Sequence, residues 1–424
     1  MPIATVEAPP PAPPPPPAAT RPDPVQAAAV VARGPVLLLG AAGTGRTTTA
    51  VAWAAARLAR DPGGALVVCP TRLAARRVGD LVARAVATTL PGPAARTPQS
   101  LAWAVLREHA AREGLVPPRL VTGGETDLLV ADLLAGHEAA GADPWPATVP
   151  PATRATRAFR ADLRELWSRV VERGLGPEQL ADLGRRHGRP EWAAAAALLR
   201  ERSDIAGLRG DNAWDPAEIV DEAAALVRAS PSLGEWARVR MGAAALAVDD
   251  AQDLTAAGWR LLAALAPPGG DVLVAGDPDL ATQGFRGGDP RLLVDAAEAV
   301  AGPGRRVARL VLGTSWRHGP ALAAVTRAVT QRIGVVTATH RAPEPATPGA
   351  GGLAAGSVRA ISCPDAAAEA ATVAGLLRAH RHDPVAPLPW EAMAVVVRSQ
   401  ARAQAVRLAC RHAGVPVITP GAAR

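Results

Sequence analysis

The sequence predicts an α/β fold: a parallel sheet covered by helices, interrupted by a mostly helical insertion and followed by the start of a second α/β unit. Two observations carry this. Short, wholly apolar runs at 36–39, 65–69, 243–248 and 272–275 end in polar or Gly-rich turns, and helical sequence follows the first two. A run that is apolar throughout suits a strand buried on both faces, as in parallel sheets whose crossovers are helices. Between 101 and 238 the pattern changes instead to helical periods rich in Ala, Leu, Arg and Trp.

Taken in order, residues 1–22 hold the run Pro9 to Pro17 and little that can enter a core, so an extended, disordered leader is expected. Residues 23–100, resuming at 239–305, read as the sheet-bearing domain. Val36 to Leu39 is its first strand, entering a Gly-rich turn, and Thr47 to Leu58 continues as an Ala-rich helix. Ala65 to Cys69 is the next strand, with a helix through Arg76 and Arg77 behind it. Residues 101–238 form the helical insertion, broken at 144–151, 174–177 and 211–216, each of which contains Pro. Residues 306–424 begin a second α/β domain that the chain does not complete. After an apolar stretch at Val307 to Leu312 and a flexible break at 343–352, they predict a helix over 366–380, a strand over 392–397, a helix over 401–413 and a strand over 415–418.

The 424 residues suffice for two or three domains, each with its own core. Net charge is +7, and every fixed positive side chain is Arg because the sequence contains no Lys. A basic balance suits a polyanion such as DNA. It also follows from a coding bias that removes Lys and Tyr and leaves Asn212 as the one Asn. Charge therefore does not choose between them. Cys69, Cys363 and Cys410 are too widely spaced for a disulfide framework or metal cluster, which fits a reducing cytoplasm. The N-terminus has no secretory pattern, and no apolar run reaches the roughly 20 residues that span a membrane.

Gly40-Ala41-Ala42-Gly43-Thr44-Gly45-Arg46-Thr47 follows the phosphate-loop pattern except at Arg46, where Lys is expected. Its glycines let backbone amides and a helix N-terminus cradle phosphate, and Thr47 offers a hydroxyl to Mg²⁺. A structural Gly turn is the competing reading. Asp249 and Asp250 follow the apolar run 243–248, placing two carboxylates at a strand end where one can hold Mg²⁺ and the next can orient water. A solvated acidic turn would look the same in isolation.

The segment Gly276-Asp277-Pro278-Asp279-Leu280-Ala281-Thr282-Gln283-Gly284-Phe285-Arg286-Gly287 resembles motif III of the UvrD/Rep helicases, superfamily 1A. Other motifs occur in the family's order. Asp23 to Gln26 resembles the adenine-reading Q motif, Cys69 to Arg72 motif Ia, Thr97 to Ala102 motif Ib, and Ser315-Trp316-Arg317 motif IV; Val395 to Ser399 resembles a strand of domain 2A. The resemblance implies a RecA-like P-loop NTPase domain (1A), with a helical 1B insertion and the start of a second RecA-like domain (2A). It further implies ATP and Mg²⁺ as cofactors and single-stranded DNA as partner. By resemblance Gln26 reads adenine, Trp316 stacks on it, Thr47 and Asp249 serve Mg²⁺, Asp250 stands where the catalytic Glu belongs, and Arg317 reaches the γ-phosphate. Thr71 and Thr97 would touch DNA phosphates. Phe285 would stack on a base, a core position being its alternative.

Departures from the pattern fall on phosphate chemistry: Arg46 for Lys, Asp250 for Glu and Leu280 for the γ-phosphate-sensing Gln. Gln99 and Gln283 replace a His and a Tyr. Arg is bulkier and planar where Lys is a point charge, and Asp is a methylene shorter than Glu. The substitutions resemble those in the degenerate-motor subunit of actinobacterial AdnAB-type helicase-nucleases. Two functions are therefore expected in competition: an ATP-driven helicase lobe serving DNA repair or recombination, or a non-catalytic DNA-binding motor subunit beside a second motor or nuclease subunit. With the sequence ending at Arg424, before motifs V and VI, the isolated chain is not expected to unwind duplex DNA.

Overall fold

The computed structural model describes residues 22–141, 144–210, 212–334, 336–346 and 356–418. The expected leader lies outside them, apart from residue 22, as do residues 347–352 of the expected break. The chain divides into two compact units, one spanning 21–356 and the other carrying 357–424.

In the first unit, α1 (Pro24–Val31) precedes three strand–helix pairs: β1 (Pro35–Gly40) with α2 (Arg46–Leu58), β2 (Leu66–Val68) with α3 (Arg72–Ala85), and β3 (Ala95–Arg96) with α4 (Pro98–Glu113). There follow β4 (Arg119–Leu120), α5 (Gly123–Ala139), α6 (Pro151–Arg154), α7 (Arg157–Glu172), α8 (Pro177–Arg186), α9 (Pro190–Arg209), β5 (Ala213–Trp214), α10 (Glu218–Ala229) and α11 (Pro231–Arg240). The sheet resumes with β6 (Ala245–Val248), α12 (Ala256–Leu265), β7 (Asp271–Gly276), α13 (Leu292–Ala301) and β8 (Ala308–Leu312). Last come β9 (Thr314–Ser315), α14 (Pro320–Thr330) and β10 (Glu344–Pro345).

Six strands form one sheet in the order β3-β2-β6-β7-β1-β8, and every pairing in it is parallel. The fold class is thus the α/β arrangement read from the apolar runs. Alternate residues of each strand enter separate cores, as a period of two requires. Leu37, Leu39, Val68, Leu246, Val248 and Val274 meet α4, α10, α12 and α13 on one face. Val36, Leu38, Val67, Ala247 and Leu273 meet α1, α2 and α3 on the other. At 308–312 the sheet runs past residue 305, with Val36 to Gly40 registered against β8.

Arg57 fastens α1, α2 and β7 together. Its guanidinium, under a tenth exposed, donates to Asp271 at 2.8 Å, to Ala32 O at 2.7 Å and to Val30 O at 3.2 Å. It also lies 3.7 Å from the Trp53 ring centroid.

The helical stretch is not one body. Helices α5, α7, α8 and α9 share a core of Val130, Leu134, Leu163, Trp167, Leu180 and Leu198. At its two ends α4, α10 and α11 bury Leu101, Val105, Ile219, Val220 and Leu233 in the sheet's core. The stretch read as 101–238 therefore has a separately packed centre and flanks that belong to the sheet, a division that helical period cannot show.

In the second unit α15 (Ala366–Arg381) and α16 (Gln400–His412) pack through Ala374, Cys410 and Val415, with Trp390 against them. The strands expected at 392–397 and 415–418 do not form in the described residues. Apolar patterning alone does not make a strand: a ladder needs a hydrogen-bonded neighbour. No strand of this unit lies beside either segment among the described residues, and Val396 and Ile418 stay 95% and 84% exposed.

Candidate nucleotide and DNA site

The residues singled out above converge where parallel α/β sheets place their ligands, beyond the C-terminal ends of the strands. The loop after β1 holds Gly40 to Gly45, the turn after β6 holds Asp249 and Asp250, and β7 leads into Asp277. Thr71 follows β2, Thr97 follows β3, and Trp316 and Arg317 follow β9.

Two glycines of the loop have the positive φ that side chains avoid, 81° at Gly43 and 92° at Gly45. Space forbids a side chain there as well. A Cβ on Gly43 would lie 2.7 Å from Arg317 Cβ, and one on Gly45 would collide with the Gln26 amide. Gln26 is buried, donating from Nε2 to Thr44 O at 3.2 Å, while Trp316 N donates to Gly43 O at 2.9 Å. Thr44, fully buried, closes the turn by donating to Ala41 O at 2.8 Å. The fold thus brings Gln26, Trp316 and Arg317 against the loop, although Arg317 is nearly 300 residues from Gln26 in sequence.

Arg46, the first residue of α2, turns back over the loop. Its Nη1 donates to Gly40 O and, at 3.0 Å, to Ala41 O. The same guanidinium lies 3.4 Å from Asp277 Oδ2 and 3.7 Å from Asp250 Oδ1, with 9% of the side chain exposed. Arg46 is therefore held by its own loop and by both acidic turns.

Asp249 is 3% exposed, and its Oδ1 has no hydrogen-bond partner. Burial, reinforced by the neighbouring Asp250 charge, pushes its carboxyl up to about 6, against the Thr47 hydroxyl and Arg46, which pull it down. An unpaired buried oxygen beside a threonine hydroxyl fits a divalent cation, which would supply the missing partner and the positive charge. Asp250 adopts φ 48°, a left-handed conformation that Asp tolerates better than most residues.

Three further residues organise the site and were not identified from sequence. Gln252, buried, donates to Asp250 Oδ1 at 3.4 Å and accepts from Asp277 N at 3.0 Å, tying the two acidic turns together. Asp253 accepts from Thr282 N at 2.7 Å and Gln283 N at 3.0 Å, which shapes the loop before Phe285. His340 is buried against Asp277 and Asp279. Gln252 and Asp253 lie in the acidic motif and were legible as polar residues after a strand; His340 carries no local signal.

On the expected DNA side, Thr71 and Thr97 are the N-caps of α3 and α4, accepting from Ala74 N and Ser100 N at 3.2 Å each. Capping uses the oxygen as acceptor and leaves each hydroxyl a proton to donate, but Thr97 is only 5% exposed. Phe285 is not a core residue. It is 64% exposed, its ring lies 5.2 Å from the Arg286 guanidinium, and Arg169 of α7 donates to its carbonyl. Next to it in sequence, Arg286 helps line a cavity of about 490 Å³ among α4, α5, α7, α10 and α12, with Gln99, Arg164, Arg169 and Thr255 among its other walls. The predicted DNA-side residues therefore do not share one surface: Thr97 is buried, Phe285 is exposed, and neither they nor Thr71 line this cavity.

No helix of the described residues is long and apolar enough to cross a membrane. No curated protein matches the chain. The family model for the UvrD/REP helicase N-terminal domain matches residues 22–301, from the Q-motif residues through α13. That span includes the P-loop, both acidic turns and the loop of Phe285, and the chain belongs to the UvrD/REP helicase family.

Proposed function

We propose that this helicase ATP-binding lobe couples nucleotide bound at Gly40 to Thr47 to single-stranded DNA held near Phe285, in DNA repair or recombination in the cytoplasm. The observation that carries the reading is the convergence of the P-loop, Asp249, Asp250, Trp316 and Arg317 beyond the C-terminal ends of the sheet strands, with an exposed aromatic on the loop after β7. Loop amides and the α2 N-terminus would hold the phosphates, Thr47 and Asp249 a Mg²⁺ ion, and Gln26 and Trp316 the adenine. Mg²⁺ would supply charge to the phosphate oxygens. Asp250 would orient water, and Arg317 would meet the terminal phosphate. Gln252 transmits position between the nucleotide turn and the start of the Phe285 loop through its bonds to Asp250 and Asp277.

Binding to single-stranded DNA should be sequence-tolerant and weaken steeply between 50 and 200 mM salt, because the contacts envisaged are to phosphates and base faces. Fluorescence anisotropy with mixed-sequence oligonucleotides measures this. Affinity independent of salt would count against the reading.

One observation favours a second reading, a non-catalytic DNA-binding motor subunit beside a second motor or nuclease subunit, similar in character to the AdnAB type. Arg46 engages two loop carbonyls and two carboxylates, so a phosphate must compete for the guanidinium with partners already in place. In this reading the chain binds DNA but its degenerate ATP site does not hydrolyse nucleotide.

A further inference from the structure

We propose that Asp277, Asp279 and His340 form a binding site for a divalent transition-metal ion of the zinc class, separate from the Mg²⁺ position at Thr47 and Asp249. One ligand atom from each residue lies within 4.8 Å of the other two. All three side chains are at most 3% exposed.

His340 is what distinguishes this cluster from a pair of acidic residues. Its Nε2 is 2.9 Å from Asp277 Oδ1 and 3.3 Å from Asp279 Oδ2. Yet neither ring nitrogen has a hydrogen-bond partner, so the two oxygens stand off the axis along which an N–H would point. Off-axis oxygens at these separations are what a shared ion produces. Ligand bonds of about 2.0–2.2 Å put neighbouring ligand atoms roughly 2.8–3.6 Å apart, from octahedral to tetrahedral angles. A lone imidazole nitrogen facing two carboxylate oxygens also matches the mixed N/O donor set that such ions prefer.

Surrounding groups hold the ligands in place, as outer partners of metal sites do. Arg341 grips Asp279 through two bonds of 2.7 and 2.6 Å. Asp277 Oδ1 accepts from Asp279 N at 2.9 Å, while Arg46 approaches its other oxygen. An adjoining cavity of about 20 Å³, lined by Ala41, Asp277, Asp279, Ser315 and His318 among others, has room for one water beside the two carboxylates. Arg46 and Arg341 already balance the two carboxylates, which limits the affinity for a cation. Arg46 makes the longest of these contacts and is the group that an arriving cation would displace.

The test uses the full chain without nucleotide, dialysed against Zn²⁺ and, for an optical signature, Co²⁺. Exposed His380 and His382 are first replaced by Ala to remove a competing surface pair. One Zn²⁺ per chain should remain, with visible Co²⁺ bands of a nitrogen-containing site. His340→Ala should lower affinity at least about tenfold, and Asp279→Asn should do likewise, each checked for folding by circular dichroism. Absence of metal from the His380→Ala/His382→Ala chain, or an ion that His340→Ala leaves in place, overturns the proposal. The cluster is then a metal-free network of Asp277, Asp279 and Arg341 packed against His340.

Discussion

Replacing Phe285 by Ala tests whether the loop after β7 is a stacking platform for bases. The ring is 64% exposed, and its nearest ring partner is Arg286, whose guanidinium lies 5.2 Å from the centroid. Removing it therefore opens no core cavity. The loss is at most an exposed cation–π contact of about 0.5–1 kcal/mol, so the midpoint of urea unfolding should barely move. A base stacked on the same ring contributes about 1–3 kcal/mol, equivalent to roughly 5- to 150-fold in Kd. Anisotropy titration of a fluorescent oligonucleotide at fixed salt reads that ratio directly, with Phe285→Trp as the variant that should retain binding. Unchanged affinity in a folded Phe285→Ala protein would refute the stacking role. A loss matched by equal destabilisation would instead make the ring structural.

Other expectations follow from the same geometry. Asp253→Ala removes the acceptor of Thr282 N and Gln283 N and should weaken DNA binding while leaving fluorescent-nucleotide affinity unchanged; parallel titrations separate the two. Asp271→Asn should destabilise the fold by about 3–5 kcal/mol in urea, since it leaves the nearly buried Arg57 without its counter-charge. Burial raises the Asp271 carboxyl, but bonds from Gly34 N, Arg57 and Arg33 outweigh this and hold it below its usual value. Its contribution is therefore present above the unfolded value near 3.8 and is lost as pH falls through the folded one, so Asp271→Asn should flatten the acid side of the stability profile. If the site is degenerate, Arg46→Lys, Asp250→Glu and Leu280→Gln, compared in a fusion to a complete 2A domain of an active relative, should each recover little DNA-stimulated ATPase while the triple variant gains much more than the singles suggest, because residues acting as a unit are not additive. Family-typical turnover by the unmutated fusion would remove the degenerate-motor reading.

The sequence by itself determined what is local. The P-loop was legible because a buried strand, positive-φ glycines and a helix start occur within a dozen residues, each constrained by neighbours in the chain. The acidic turn and the motif around Phe285 were legible for the same reason, and the strand runs around them predicted the parallel sheet. Tertiary structure decided whatever depends on residues far apart in sequence. Arg46 could be seen as a substitution, but only the fold turned it onto Asp250 and Asp277. Helices α4, α10 and α11 joined the sheet's core because their apolar faces meet β-strand side chains, a choice that helical period leaves open. Val395 to Val397 has strand composition yet forms no ladder, since a strand's hydrogen bonds go to another segment and its own residues cannot provide them. His340 is the limiting case: nothing beside it in the chain marks it, and burial against Asp277 and Asp279 gives it chemistry that exists only in the folded state.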